Sequence, residues 1–417
     1  MTQNVPITND ENRLSPKDLF NEILSRATNL FKNKQALQSD YMPSEILFRN
    51  KEIIQLTKAL SPVLMGTNPV NIFIFGFSGT GKTLVVRNVV GDLLEVGKQN
   101  NNNISCVIMN CRLDNINTEY RLITNLAKLF GAKMPDTGLS LSKAYKILFD
   151  SIDSSNEKEL KLVLVLDEID YIIMKDSSFL YNLSRIKEKY SKLSLSIIGI
   201  SNILSLKDKI EPKVISSLNP LEITFAPYSA EEIKGILESR AKEAFNEDVI
   251  DEGVIPKIAA ISAQEHGDAR RAINLLKFAG ELAQNRGDGK ITLQHVDLAY
   301  KESEKNITEE IVHNLAPQSK LVFLSILNLI SKKRSEKLFS GEVYDEYVKL
   351  ASKFGYRELT FRRVSDLIYE LDYNSLIKMQ LKSRGRYGRS REVSLGFSKE
   401  ILPKLEDMIT KDLDRNL

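Results

Sequence analysis

Gly76-Phe77-Ser78-Gly79-Thr80-Gly81-Lys82-Thr83 is the stretch that decides how this chain is read. It matches G-x-x-x-x-G-K-[ST]. Its glycines let the backbone turn tightly, so that successive amide N–H groups can face phosphate oxygens. Lys82 can then reach the β- and γ-phosphates of a nucleoside triphosphate, and the Thr83 hydroxyl can ligate Mg²⁺. An apolar run, Asn71–Phe75, precedes the loop, and an amphipathic stretch, Lys82–Glu95, follows it. Strand, loop and helix in that order bring the positive end of a helix to the phosphates. All eight residues are therefore candidate ligands of ATP or ADP, with Mg²⁺ as the expected companion.

The strands outward from the loop carry the rest of this chemistry. Cys106–Asn110, Leu162–Leu166 and Leu195–Ile200 are near-continuously apolar, as strands buried on both faces must be. Between them Thr118–Phe130, Ser140–Ser151 and Ser178–Lys189 read as helices. The alternation predicts a doubly wound α/β domain with a parallel sheet. The run Leu162–Leu166 ends in Asp167 and Glu168. Asp167 is expected in the Mg²⁺ shell and Glu168 is expected to polarise the attacking water. A later run, Ile198-Gly199-Ile200-Ser201, ends in Asn202, which can orient that water. In His266-Gly267-Asp268-Ala269-Arg270-Arg271, Arg270 at a helix start can reach back to the phosphates. Arg271 is expected to face solvent or a neighbouring helix.

Composition sets the frame. The chain has 417 residues, 42% hydrophobic and 27% charged, with a formal net charge of +3, ordinary for a globular protein of two or three domains. Its two cysteines, Cys106 and Cys111, have neither zinc spacing nor a disulfide framework, so a reducing compartment is expected. No apolar run approaches the ~18–20 residues of a membrane span, and the polar start lacks a signal-peptide core. Residues 1–14 read as a disordered arm and 15–226 as the α/β domain. From Ser229 to about Ser303 the chain reads as helices alone, a helical lid over 227–304. It opens with a capping box at Ser229 and Glu232 and the stripe Ile233, Ile236 and Leu237. The stretch Asp268–Gln284 reads as a long helix, and Thr292 can cap a short one through Ala299.

Residues 305–417 read as a third domain. Helices at Ser319–Ser331, Gly341–Phe354 and Thr360–Leu371 precede two strands, Leu376–Leu381 and Glu392–Phe397. That is the order of a winged helix. Between Ser331 and Arg391 stand 15 Lys and Arg against 8 Asp and Glu, a local excess that suits nucleic acid. Within Thr360–Leu371 the residues Phe361, Val364, Leu367, Ile368 and Leu371 share one face, leaving Arg362 and Arg363 off it near the helix start. In a helix-turn-helix that end enters the major groove. Thr360, Arg362 and Arg363 are therefore candidate DNA contacts. So are Lys382, Arg384, Arg386, Tyr387 and Arg389 in the basic tip between the strands, suited to phosphates or the minor groove. A winged helix can instead dock protein.

Taken in order, GFSGTGKT, LVLDEID, GISN, EPKVISSLNPLEITFAPYSAEEI, EHGDARRAINLL and RRVSDLIYELD followed by RGRYG resemble the AAA+ initiator clade. The likeness runs from about Tyr41 to Phe397 and is to the archaeal initiators related to origin recognition complex subunit one and cell division control protein six. The resemblance implies a P-loop AAA+ ATPase core, a helical lid and a C-terminal winged helix. The implied function is an ATPase that binds origin double-stranded DNA and acts with a replicative helicase of the minichromosome maintenance type, and with initiator paralogues. It implies no membrane, and a nucleoid-associated cytoplasmic place. Tyr41, Pro43 and Arg49 resemble the stretch that lines the adenine, and Tyr228, inside a matched segment, is counted with them. The stretch Asn115–Lys143 resembles a region set against DNA, with Arg121 and Lys128 as candidate phosphate contacts. Lys213 stands where the family usually offers an arginine finger to a neighbouring subunit. Lysine keeps the charge but loses the planar fork, which predicts slow hydrolysis and nucleotide used as a switch. An ATP-regulated transcription factor and a branch-migration type of motor are the rival readings; fast coordinated turnover is what Lys213 argues against.

Overall fold

The computed structural model describes residues 30–67, 70–135, 138–155, 159–333, 338–383 and 389–414. It contains two compact units, Met1–Val296 and Asp297–Leu417. The first is built on five parallel strands: β1 (Ile72–Gly76), β2 (Ile104–Asn110), β3 (Leu160–Asp167), β4 (Leu193–Ser201) and β5 (Leu221–Phe225), in the spatial order β2-β3-β4-β1-β5. Every residue of Leu162–Leu166 is at 0% exposure, which is why that run carries no polar alternation. In-register pairing sets Asn110 beside Asp167 and Phe75 beside Ser201. The carboxyl ends of β1 to β4 therefore line up at one edge, the place where open α/β sheets hold ligands.

The helix α1 (Asn50–Leu60) precedes β1, and between the strands lie α2 (Lys82–Gln99), α3 (Glu119–Leu129), α4 (Leu141–Ser155), α5 (Asp170–Ile173), α6 (Ser178–Ser184), α7 (Ile186–Lys189) and α8 (Pro212–Leu218). Two expectations need correction. Ser178–Lys189 is not one helix: Arg185 leaves the helical line between α6 and α7. The strand β5 is an addition. It lies at the sheet edge with only Ile223 and Phe225 buried, so its polar alternation hid it among loop residues.

The unit closes with α9 (Ala230–Ala244), α10 (Val254–Gln264) and α11 (Ala269–Arg286). The capping box at Ser229 and Glu232 is formed, and the Asp268 side chain caps α11 by accepting from the Arg271 N–H at 3.0 Å. Beyond it α12 spans Leu293–Asn314, far longer than the short helix expected there.

The second unit holds α13 (Pro317–Lys333), α14 (Ser340–Lys353), α15 (Phe361–Tyr373) and α16 (Leu402–Asp414). These pack with an antiparallel sheet of β6 (Leu338–Phe339), β7 (Ile377–Ser383) and β8 (Arg389–Leu395), ordered β6-β8-β7. Val364, Leu367, Ile368 and Leu371 of α15 are buried as their spacing requires. Phe361 is the exception at 47% exposed, meeting Tyr344 edge-on at 5.4 Å. The hairpin is longer than expected. Lys382 pairs with Ser390, and Ser383 with Arg389, so Lys382 and Arg389 belong to strands rather than to the tip. Among the described residues no helix is long and apolar enough to cross a membrane.

Candidate functional site

The loop after β1 wraps the start of α2. Gly81 supplies a left-handed residue (φ +88°) just before the helix, and Gly79 another (φ +69°). Side chains are excluded there on a second ground: a Cβ at Gly79 would lie 1.7 Å from Asp268 Oδ1 and one at Gly81 would lie 2.8 Å from the Tyr228 hydroxyl. The loop carbonyls are turned inward on Lys82. Its Nζ donates to Gly76 O at 2.8 Å, to Phe77 O at 2.7 Å and to Asn202 Oδ1 at 2.8 Å. Burial pushes the Lys82 ammonium down to about 8, with Arg270 adding to the fall and Asp167 opposing it. An anion placed there would meet a group held for it by neutral carbonyls, whose charge is easily recovered.

Asp167 and Glu168 stand at the end of β3. The Thr83 hydroxyl donates to Asp167 Oδ2 at 2.8 Å, so two hard oxygens lie side by side. Mg²⁺ usually takes one or two protein oxygens and completes its shell with phosphate and water, and the pair fits that need. Glu168 has φ +52°, an uncommon conformation for a residue with a side chain. Its N–H donates to Asp167 Oδ1 at 3.0 Å, and its carboxylate receives Asn110 Nδ2 at 3.4 Å and pairs with Arg112 Nε at 3.1 Å. Neither Asn110 nor Arg112 was foreseen. The one available signal was a polar residue closing an apolar strand. The Ser201 hydroxyl, donating to Asp170 Oδ1 at 2.8 Å, ties the end of β4 to the same acidic turn.

These groups line a cavity of about 400 Å³ together with the lid. Ser78, Gly79, Thr80, Gly81, Lys82 and Thr83 face it from the loop, Asp167, Glu168 and Asn202 from the strand ends, Arg270 from α11, and Tyr41, Pro43 and Tyr228 from the flanking segments. Thr80 is fully buried, its hydroxyl donating to Phe77 O at 2.8 Å. The lid touches the loop directly, where the Ala269 N–H donates to Gly79 O at 3.3 Å. Three expected ligands stand outside the cavity lining. Gly76 and Phe77 act through their carbonyls on Lys82, while the Phe77 ring stacks on His266 with centroids 5.9 Å apart. Arg49 is 3% exposed and turned onto the protein, outside the cavity lining. Its Nε donates to Thr80 O at 2.9 Å, its Nη2 to Ala226 O at 2.6 Å, and its guanidinium lies 3.8 Å from the Tyr228 ring centroid. Arg271 pairs with Glu265 at 2.9 Å.

Lys213 lies away from this cavity, in the first turn of α8, its ammonium exposed and paired with Glu211 at 2.7 Å. On α3, Arg121 and Lys128 are both exposed, and Arg121 Nη1 donates to Asn115 O at 3.0 Å. On α15 the Thr360 hydroxyl caps the helix by accepting from the Arg363 N–H at 3.4 Å, and Arg362 and Arg363 are exposed beside it. Arg384, Arg386 and Tyr387 lie outside the described residues, as does the N-terminal arm. Both cysteines are free, and burial pushes each thiol up to about 12.

Comparison with known proteins matches three stretches of the chain. An AAA domain family matches residues 66–206, a Cdc6 AAA+ ATPase-type lid domain matches 234–301, and a CDC6 C-terminal winged helix domain matches 310–404. The ORC1-type DNA replication protein 1 of Archaeoglobus fulgidus is 40% identical over 387 residues, 93% of each chain. That of Sulfurisphaera tokodaii is 42% identical over 391 residues, 93% of this chain and 96% of the relative. Among solved structures, the Aeropyrum pernix ORC1 protein in complex with DNA superposes with a TM-score of 0.79 at 36% identity, over 93% of this chain and 99% of that one.

Proposed function

We propose that this chain, which belongs to the family of ORC1-type DNA replication proteins, is an ATP-dependent initiator of DNA replication. It binds origin double-stranded DNA and helps recruit or load the replicative helicase, with slow ATP hydrolysis acting as a switch. One observation carries the reading. The phosphate loop and the lid line a single cavity and touch at Gly79 and Ala269, so what fills the cavity bears on where the lid stands.

The chemistry is in-line transfer of a phosphoryl group to water, made of positioning and charge stabilisation. The loop amides and Lys82 grip the β- and γ-phosphates, Nζ exchanging carbonyl partners for phosphate oxygens. Thr83 and Asp167 would hold Mg²⁺, which would supply positive charge to those phosphates. Glu168 accepts a proton from the attacking water and Asn202 orients it. Arg270 reaches the phosphates from the lid. Tyr41, Pro43 and Tyr228 bound the nucleotide from the segments before α1 and after β5. Lys213, offered to a neighbouring subunit's nucleotide, stabilises the transition state less well than the fork of an arginine, which makes turnover slow.

The basic winged helix is the DNA-binding part. Arg362 and Arg363 address the major groove, Lys382, Arg384, Arg386, Tyr387 and Arg389 are further DNA contacts, and Arg121 and Lys128 add phosphate contacts. The division into base (15–226), lid (227–304) and winged helix (305–417) follows from these roles. Initiator paralogues are further partners, and the place of action is the nucleoid, in the cytoplasm. Footprinting on origin and promoter fragments, with ATP, with ADP and with neither, tests the proposal. Origin protection that changes with the nucleotide is the expected result. Protection confined to promoters would overturn it in favour of a transcription regulator.

A further inference from the structure

Arg240 lies on the buried stripe of α9, at 7% exposed, and lines the cavity beside Tyr41, Met42, Pro43 and Ile236. Its guanidinium covers the Tyr41 ring at 4.8 Å, and Nη2 donates to Tyr41 O at 3.4 Å. The Tyr41 hydroxyl donates in turn to Glu243 Oε2 at 2.6 Å, which occupies the carboxylate nearest to hand. That leaves Nη1 buried with no hydrogen-bond partner among the described residues. Buried guanidinium N–H groups without partners are costly, and each calls for an explanation. A guanidinium has donors only, so whatever completes Nη1 must present an acceptor. The hydrogen bond and ring contact of Arg240 run to Tyr41 and not to the phosphate loop, and Met42, Pro43 and Ile236, which line the same cavity, offer apolar side chains rather than anion ligands.

We propose that Arg240 reads the nucleoside half of the bound nucleotide. On binding, the guanidinium turns so that Nη1, closed off by protein in the nucleotide-free chain, donates a hydrogen bond to an acceptor there, a purine ring nitrogen or the ribose 2′-oxygen. The proposal rests on the nucleotide-binding reading above and adds a residue that sets which nucleotide is held. Tyr41 serves as the platform that fixes the guanidinium, and Glu243 fixes Tyr41.

The test is calorimetric titration of the full chain with Mg-ATP and with Mg-tripolyphosphate, which keeps the phosphates and lacks the nucleoside. Arg240→Met removes the donors and keeps an apolar stem. It should weaken ATP binding about tenfold, the value of one hydrogen bond from a charged donor, and leave tripolyphosphate binding unchanged. In the wild type, 1-deaza-, 3-deaza-, 7-deaza- and 2′-deoxy-ATP each delete one acceptor. One of them should bind about tenfold more weakly, and should lose nothing further in Arg240→Met, which names the acceptor. Full ATP affinity in the variant, equal losses on ATP and tripolyphosphate, or an analogue series with no loss would each overturn the proposal. The wild-type series decides the matter alone should the variant fail to fold. A wild type that binds neither ATP nor tripolyphosphate would overturn the nucleotide site itself, a different failure from losing Arg240 alone.

Discussion

Replacing Arg49 with Met tests whether the guanidinium braces the phosphate loop from behind. The side chain is 4% exposed and makes two charge-assisted bonds, to Thr80 O at 2.9 Å and Ala226 O at 2.6 Å. Bonds of that kind contribute about 1.5–3 kcal/mol each. The Met variant also leaves Glu52, 3.6 Å away and 12% exposed, without its countercharge. It removes the cation from the Tyr228 face as well, worth ~0.5–2 kcal/mol. Methionine returns some packing, so the net cost should be about 3–5 kcal/mol, a large share of the ~5–15 kcal/mol that holds an ordinary protein folded. Urea unfolding of the full chain measures it, and hydrogen exchange at the Thr80–Thr83 amides locates it. Arg49→Lys should recover only part, since an ammonium cannot span both carbonyls in one plane. A loss below about 1 kcal/mol would refute the bracing argument. So would a variant of unchanged stability that had lost its preference for ATP over GTP, because that would put Arg49 back against the base.

Lys82, held at about 8 in the nucleotide-free protein by burial, should take up a proton when phosphate restores its charge. ATP affinity is then full below pH ~8 and falls about tenfold per unit as pH rises beyond it. Calorimetry at pH ~8.5 in buffers of different ionisation enthalpy should read uptake of about three-quarters of a proton, and uptake near zero would show the ammonium already charged. Lys213→Arg should raise ATP turnover, by up to ~10³-fold where subunits adjoin. A wild type that already turns over fast, with no gain in the variant, would remove the switch argument. Arg362→Ala with Arg363→Ala should lower the slope of log affinity for duplex DNA against log salt by about two units. A slope equal to wild type would take both residues off the phosphates.

The parts legible in sequence were those whose chemistry is local. A glycine loop, an acid pair closing an apolar strand and an arginine opening a helix each occupy a few consecutive residues, and the cavity gathers them. What escaped depends on contacts between distant stretches. Asn110 and Arg112 meet Glu168 only because β2 pairs with β3 in one register. Arg49 lies in the segment expected to border the base, but nothing local to it says which way its guanidinium turns. Arg240 did leave a mark: it occupies the buried stripe of α9 between Leu237 and Ala244, where an arginine is out of place unless something needs it. The edge strand β5 was lost for the opposite reason, since alternation on a half-exposed strand looks like loop composition.

The seat of Asp268 against Gly79 gives the loop a second master. The consensus for gripping phosphate leaves position 79 unspecified, since the fixed glycines are Gly76 and Gly81. In this chain that freedom is gone. A single methyl at 79 would stand 1.7 Å from a carboxylate oxygen, a separation atoms do not share, so the Asp268 side chain would have to turn aside. Such a chain would still match the consensus, yet it would strain a backbone held at φ +69° and give up the Asp268 cap on the Arg271 N–H. Glycine at this position is thus required twice, by the left-handed backbone of the loop and by the lid residue seated on it, and a match to the motif alone reports neither.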